Sequence, residues 1–161
     1  MDVVKRKAAV TAFLDEYKKA IAELQYVIAD VTAAELIMIA DPLTTNPECT
    51  SIQTVLTHVV SSGFSYCVYI QNHRGIDSKR PQPKFRLSAN EYSDDLDKML
   101  AYTNEAFTDI YDDELEEGKQ EKKIASRWGQ YYDIEQMMEH AIVHILRHRR
   151  QVVNFKKKLQ M

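Results

Sequence analysis

The chain has 161 residues, with 21 Lys and Arg against 24 Asp and Glu and a formal charge of -3 at pH 7, a balance that gives no global attraction to a phosphate backbone. A composition of 45% hydrophobic and 28% charged residues is that of a globular protein and excludes a disordered one, while only 4 Gly and 4 Pro argue against a many-turned β-sandwich. One ordinary domain over residues 1–161 is the economical organisation for this length. No stretch approaches the roughly 20 apolar residues that span a bilayer. Met1–Val10 is charged at Asp2, Lys5, Arg6 and Lys7 and lacks the apolar run of a secretory signal. The expectation is a cytoplasmic protein with neither membrane nor nucleic acid as partner. Cys49 and Cys67 then stay reduced and, in no metal-type spacing, are bystanders.

In chain order, Val10, Leu14, Tyr17, Ile21, Leu24 and Ile28 recur at alternating steps of three and four and predict a first helix from about Val3 to Ala29. A long connection through Asp41-Pro42 and Asn46-Pro47 follows, with a short helix over Ala33–Ala40. Thr50-Ser-Ile-Gln53 has the form of a capping box and opens a second helix that runs to about Asn72. Gly75 to Pro83 is a turn-rich break. Ser88-Ala-Asn-Glu91 is another capping box, opening a third helix with Tyr92, Leu96, Met99, Thr103, Phe107 and Ile110 on one face. Asp112 to Lys123 reads as a charged, solvated linker, and Arg127-Trp128-Gly129-Gln130 as a turn or short extended piece. Asp133, with Gln136 three residues later, caps a fourth helix that reaches nearly to the C-terminus, where Lys156, Lys157 and Lys158 complement the helix pole. The fold class expected is all-α, a four-helix bundle whose long connections allow a crossover between parallel neighbours.

Among the five histidines, His140, His144 and His148 stand four apart within the fourth helix. Residues at i and i+4 project from one face, so two such imidazoles can converge on one ion. The outer pair lies roughly 12 Å apart along the axis, against a metal–imidazole bond of about 2.0–2.1 Å. Only adjacent members can therefore share an ion, and a further ligand must come from elsewhere. The stripe Ile134, Met137, Ala141, His144, His148, Val152, Phe155 places His144 and His148 where a bundle buries apolar side chains, and buried imidazoles need partners. His58 is the natural one, with Val55 and Val59 flanking it on the packed side of the second helix. Ser61, Ser62 and Ser65 beyond it leave room for a cavity.

The metal ligands expected are thus His58, His144 and His148 around one divalent ion. His140 sits at the edge of the stripe, solvated or hydrogen-bonded, and is the substitute ligand should the register differ. His73 reads as a cap or a surface residue. Tyr66 either lines the cavity or packs in the core, Gln151 is placed to orient His148, and Glu139 faces water. No general base is assigned. Imidazole suits zinc, nickel, copper and iron alike, so the ligands leave the metal open.

The run His144-Ile-Leu-Arg-His148-Arg-Arg-Gln151, preceded by His140, resembles the C-terminal signature of the DinB-like bundles, commonly His-x-x-x-His-Arg-Gly-Gln. Ser51-Ile-Gln-Thr-Val-Leu-Thr-His58-Val resembles that family's second-helix histidine segment, and Arg127-Trp-Gly-Gln130 the turn before its last helix. The resemblance implies a four-helix bundle, often a homodimer, with a three-histidine site for nickel or zinc whose roles fall on His58, His144 and His148. It also implies a metal-dependent enzyme, a hydrolase or a transferase of low-molecular-weight thiols, acting on a small-molecule substrate and not on DNA. The alternatives are a non-catalytic metal- or ligand-binding bundle and a structural dimer. Arg150 stands where the family commonly has Gly and is expected to point to solvent.

Overall fold

Each long helix owes its position to an apolar stripe and its ends to particular hydrogen bonds. In the computed structural model, which describes residues 5–160, the elements are α1 (Ala8–Ile28), α2 (Ala33–Ile37), α3 (Ile52–His73), α4 (Ala89–Ala106) and α5 (Ile134–Leu159), with a two-stranded hairpin of β1 (Ile124–Ala125) and β2 (Tyr131–Tyr132) ahead of α5. The fold is all-α apart from that hairpin. No helix among the described residues is long and apolar enough to cross a membrane.

Side-chain pairings fix the directions of the four long helices. Glu23 on α1 pairs with Arg149 on α5, and Asp30 just past the end of α1 pairs with Lys156, so the two numbers rise together and the helices are parallel. Lys7 donates to the Phe107 carbonyl at 3.1 Å while Gln25 donates to Asp97 at 2.8 Å, so α1 and α4 are antiparallel. Thr57 meets Tyr92 and Gln71 meets Tyr102, which makes α3 and α4 parallel. His58 lies against His148 and Tyr66 against His140, which makes α3 and α5 antiparallel. A parallel neighbour demands a connection running the length of the bundle. Residues 74–88 supply it, reaching about 50 Å if extended, whereas the 22 residues of α3 span roughly 33 Å. This is the crossover that the connection lengths allow.

The core is one apolar cluster drawn from all four long helices, with Leu24, Ile28, Leu56, Ile70, Leu96, Met99, Met137 and Val152 fully enclosed. Gly63 on α3 marks a close approach to α4. A Cβ built there would lie 1.9 Å from the Sδ of Met99, which is buried and accepts from the Tyr17 hydroxyl at 3.8 Å.

Several boundaries differ from the sequence expectation for identifiable reasons. Helix α1 begins at Ala8, and Val3 lies outside the described residues. Lys7 provides no side-chain cap, and the Val10 N–H is instead taken by the Asp112 carboxylate at 3.0 Å, so a residue distant in sequence closes this terminus. The short helix α2 stops at Ile37, since Met38 is extended and Ile39 bridges to Ser51. The box that opens α3 is Ser51 with Thr54, one residue later than expected, and the Gln53 side chain turns away to donate to the Arg86 carbonyl at 2.9 Å. Helix α4 ends at Ala106, so Phe107 and Ile110 are buried from beyond it. The segment 112–123 is not simply solvated. It carries short 3-10 turns at Asp112–Glu114 and Gln120–Lys122, buries Leu115, and offers the Leu115 carbonyl to the Glu135 N–H at 3.1 Å. Ser88 caps α4 by accepting the Glu91 N–H, with the Glu91 carboxylate returning to the Leu87 N–H and the Ser88 hydroxyl in place of a full box. The Asp133–Gln136 box caps α5 as read, and Arg127-Trp128-Gly129-Gln130 is the turn of the hairpin, with Gly129 at φ 83° in the region where a Cβ is disfavoured.

The approach at Gly63 gives the first expectation. Gly63→Ala gains roughly 1 kcal/mol of helix propensity but overpacks against a confined Met99, and the net result is a loss of about 1–2 kcal/mol in urea unfolding. Unchanged or increased stability would show that Met99 moves aside freely.

Candidate metal centre

The antiparallel contact of α3 with α5 brings the predicted ligands together. His144 and His148, one turn apart on α5, face His58 on α3. The Nε2 of His144 is 3.0 Å from the Nε2 of His58 and 3.2 Å from the Nε2 of His148, and one ligand atom from each of the three lies within 4.8 Å of the others. His148 is 4% exposed. His144 is only half-buried, and the fully buried positions of that turn are Ile145 and His148. The α5 stripe is therefore rotated slightly, so that His144 reaches the edge of the core where an open cavity begins.

Outer partners set the tautomers of two rings. The Nδ1 of His148 is 2.7 Å from the Oε1 of Gln151, and the Nδ1 of His58 is 3.0 Å from a carboxylate oxygen of Glu48. Both acceptors require the proton on Nδ1, which leaves each Nε2 with its lone pair directed into the cluster. A proton on the Nε2 of His144 could serve one of these lone pairs well and would leave the other poorly met. It would also strip the Nδ1 of His144, a buried atom with no hydrogen-bond partner among the described residues. A cation between the three nitrogens satisfies all three lone pairs at once. The spacing suits one: two nitrogens bound at about 2.05 Å and lying 3.0 to 3.2 Å apart subtend roughly 94–103° at the ion, between octahedral and tetrahedral values. The donor set and its geometry fit a divalent metal.

Burial, reinforced by the neighbouring rings of His148 and His58, pushes the His144 pKa down to about 2. Burial also lowers His148, against a smaller opposing effect of the Gln151 hydrogen bond, and lowers His140. The imidazoles are thus neutral at physiological pH, the form that binds metal.

The other predicted residues surround this cluster. His140 is not in the triad: its Nδ1 meets the Tyr132 hydroxyl at 3.2 Å and its ring stacks on Trp128 at 5.0 Å and 23°. Tyr66 does both things considered for it, being 5% exposed in the core while its ring edge meets His144 and His140 at the cavity wall. Gln151 holds His148 as described. Ser61, Ser62 and Ser65 line a cavity of about 790 Å³ that opens from His58 and His144. His73, Glu139 and Arg150 are exposed. Burial pushes the Cys67 thiol up to about 12, which makes it unreactive, and Cys49 accepts from Asn46 at 3.5 Å away from the cluster.

Sequence reasoning missed Glu48 and the cavity's far wall. Glu48 belongs to a 3-10 turn, Pro47–Cys49, that folds back on α3, and its spacing from His58 carries no periodic signal. Trp128, Tyr69, Lys79, Arg80 and Arg127 reach the cavity from the crossover, α3 and the hairpin, a convergence that depends on tertiary topology.

No family model matches this sequence, and no curated protein matches it. Among solved structures, the chain is similar to one described as a conserved protein from Enterococcus faecalis, with 14% identity, a TM-score of 0.62 and coverage of 97% of this chain and 98% of that one. At that identity the likeness concerns the fold.

Two outcomes follow for the metal-free protein and its ligands. His140, His144 and His148 all have folded-state pKa values below the ordinary 6.5, so below that pH the unfolded chain binds more protons than the folded one. Stability in the presence of chelator should be full above pH 6.5 and fall as the pH drops from there, read as the urea midpoint between pH 8 and pH 5; a flat profile would show that these rings accept protons without strain. Separately, Gln151→Leu should weaken zinc binding about 10–100-fold by competition titration, while Glu48→Gln, which keeps an acceptor, should cost less. Equal affinity in Gln151→Leu would mean that Gln151 does not orient His148.

Proposed function

We propose that this protein is a metal-dependent enzyme of the DinB-like type, binding one zinc or nickel ion with His58, His144 and His148 and acting on a small molecule as a hydrolase or a transferase of low-molecular-weight thiols. The observation that carries the reading is the approach of the His58 and His148 Nε2 atoms, their lone pairs set by Glu48 and Gln151, to the Nε2 of His144. The sequence resemblance at His58, at Arg127-Trp-Gly-Gln130 and at His144 to Gln151 supports the same reading, as does the crossover between parallel helices.

When bound, an ion held by three neutral imidazoles keeps its full charge and supplies Lewis acidity that lowers the pKa of water or a thiol toward neutrality. The chain's own residues do the rest. Glu48 and Gln151 keep the His58 and His148 rings from turning. Burial keeps His144 and His148 unprotonated. The main cavity admits a substrate on the side of His58 and His144, a smaller one reaches His144 between His140 and Arg147, and His148 is closed off by core packing. An open face beside a cavity of about 790 Å³ favours catalysis over a purely structural ion, which needs a closed shell. The resemblance adds a homodimer to the proposal and gives no reason to expect a nucleic-acid partner.

Elemental analysis of protein purified without an affinity tag tests the reading. Wild type is expected to carry about one equivalent of zinc or nickel and the His144→Ala, His148→Ala double variant almost none, with wild-type protein active in hydrolysis or thiol-transfer screens only when loaded. No metal in the wild type, even after zinc or nickel is added, overturns it.

A further inference from the structure

We infer that the cavity beside the histidine cluster takes a small organic anion, bearing a carboxylate or phosphate on a flat apolar body, and that Arg80, Arg127 and Lys79 select the charge while Trp128 and Tyr69 receive the body. Naming this anion as the substrate rests on the metal-enzyme reading; the anion site itself stands on its own residues.

Charge is the first observation. The chain as a whole is negative, at -3, yet the cavity is lined by Lys79, Arg80 and Arg127 against a single carboxylate, Glu48, which is already engaged with His58. Five cations elsewhere, Arg74, Arg86, Lys98, Arg149 and Lys156, sit on carboxylates, and others lie dispersed over the surface; what sets Lys79, Arg80 and Arg127 apart is that they converge on one cavity wall. Among the described residues, none of the three cavity cations has a carboxylate partner. Unmatched positive charge gathered on a concave wall attracts anions of substrate size, and guanidinium groups match the planar geometry of carboxylate and phosphate.

Placement is the second. Arg80 is held over the cavity by donating to the Ser61 hydroxyl, one turn beyond His58. Its segment is pinned to α3 through Ser78, whose N–H donates to Asn72 at 2.9 Å and whose hydroxyl donates to Gln71 at 2.5 Å. Arg127 is fixed from a different segment, because its backbone N–H donates to the Tyr69 hydroxyl at 3.3 Å and so ties the hairpin tip to α3. A guanidinium held on α3, that of Arg80, and a second carried on an anchored backbone, that of Arg127, therefore line one space.

The aromatic wall is the third. Trp128 is stacked on His140 and stands edge-to-face with Tyr69 at 5.9 Å and 88°, yet remains 42% exposed. A tryptophan braced on both sides but left partly bare offers a flat apolar surface to a ligand in the cavity.

Trp128 is the single tryptophan of the chain, so its fluorescence reports occupancy directly. The test titrates metal-free wild type and an Arg80→Gln, Arg127→Gln double variant with benzoate, phenyl phosphate and the neutral benzamide. Circular dichroism verifies the variant's fold, and its zinc content on reloading is measured separately. Both anions should bind wild type at least about tenfold more tightly than benzamide, and the variant should lose most of that preference while still binding one zinc. The inference is overturned if neither anion binds saturably, if benzamide binds as well, or if the variant keeps the full preference. Normal zinc binding without anion preference would defeat this inference and leave the metal reading standing; anion preference in a protein that takes up no metal would do the reverse.

Discussion

The Nε2 of His144 approaches the Nε2 atoms of His58 and His148 within 3.0 and 3.2 Å, an arrangement in which one imidazole proton cannot serve both neighbouring lone pairs well. Much of the local structure can be understood from that constraint. Helices α3 and α5 must run antiparallel and in one register for His58 to meet the pair on α5. The Nδ1 atoms must be held by Glu48 and Gln151, which is why an otherwise unremarkable 3-10 turn at Pro47–Cys49 lies against α3. The orphaned Nδ1 of His144 is what remains where no such partner is supplied.

The bundle topology places this cluster beside a cavity of about 790 Å³. Because α3 and α4 are parallel, the chain between them travels the length of the bundle and passes the cavity, carrying Lys79 and Arg80 with it. The hairpin before α5 folds over from the other direction and brings Arg127 and Trp128. The two connections thus supply the cavity's charge and its aromatic wall, while the helices supply the three histidines. This division matches a general pattern in which rigid elements fix reacting groups and connections fix what is recognised.

What was legible in the sequence follows the range of the forces involved. The α5 histidines and the Ser88 and Asp133 caps are set by spacing within one helix, and they could be read directly. His58 was legible because an apolar stripe implies which face of α3 is buried, and Gln151 because it lies one turn from His148. Glu48 was not, since its contact depends on a chain reversal with no periodicity. The start of α1 was not legible because the carboxylate that closes it, Asp112, is far away in sequence, and the charges of the segment 112–123 conceal the single buried Leu115. The α3 box was misplaced by one residue because Gln53, chemically a good partner for a cap, has a better use on the Arg86 carbonyl.

The central claim is that one ion sits between the Nε2 atoms of His58, His144 and His148. The most direct test is a crystal structure of zinc-loaded protein with anomalous data at the zinc edge. The account predicts one strong peak at about 2.0–2.1 Å from all three Nε2 atoms, with Glu48 and Gln151 still on the outer nitrogens. A peak elsewhere, or zinc bound through His140 with His58 turned away, would contradict it.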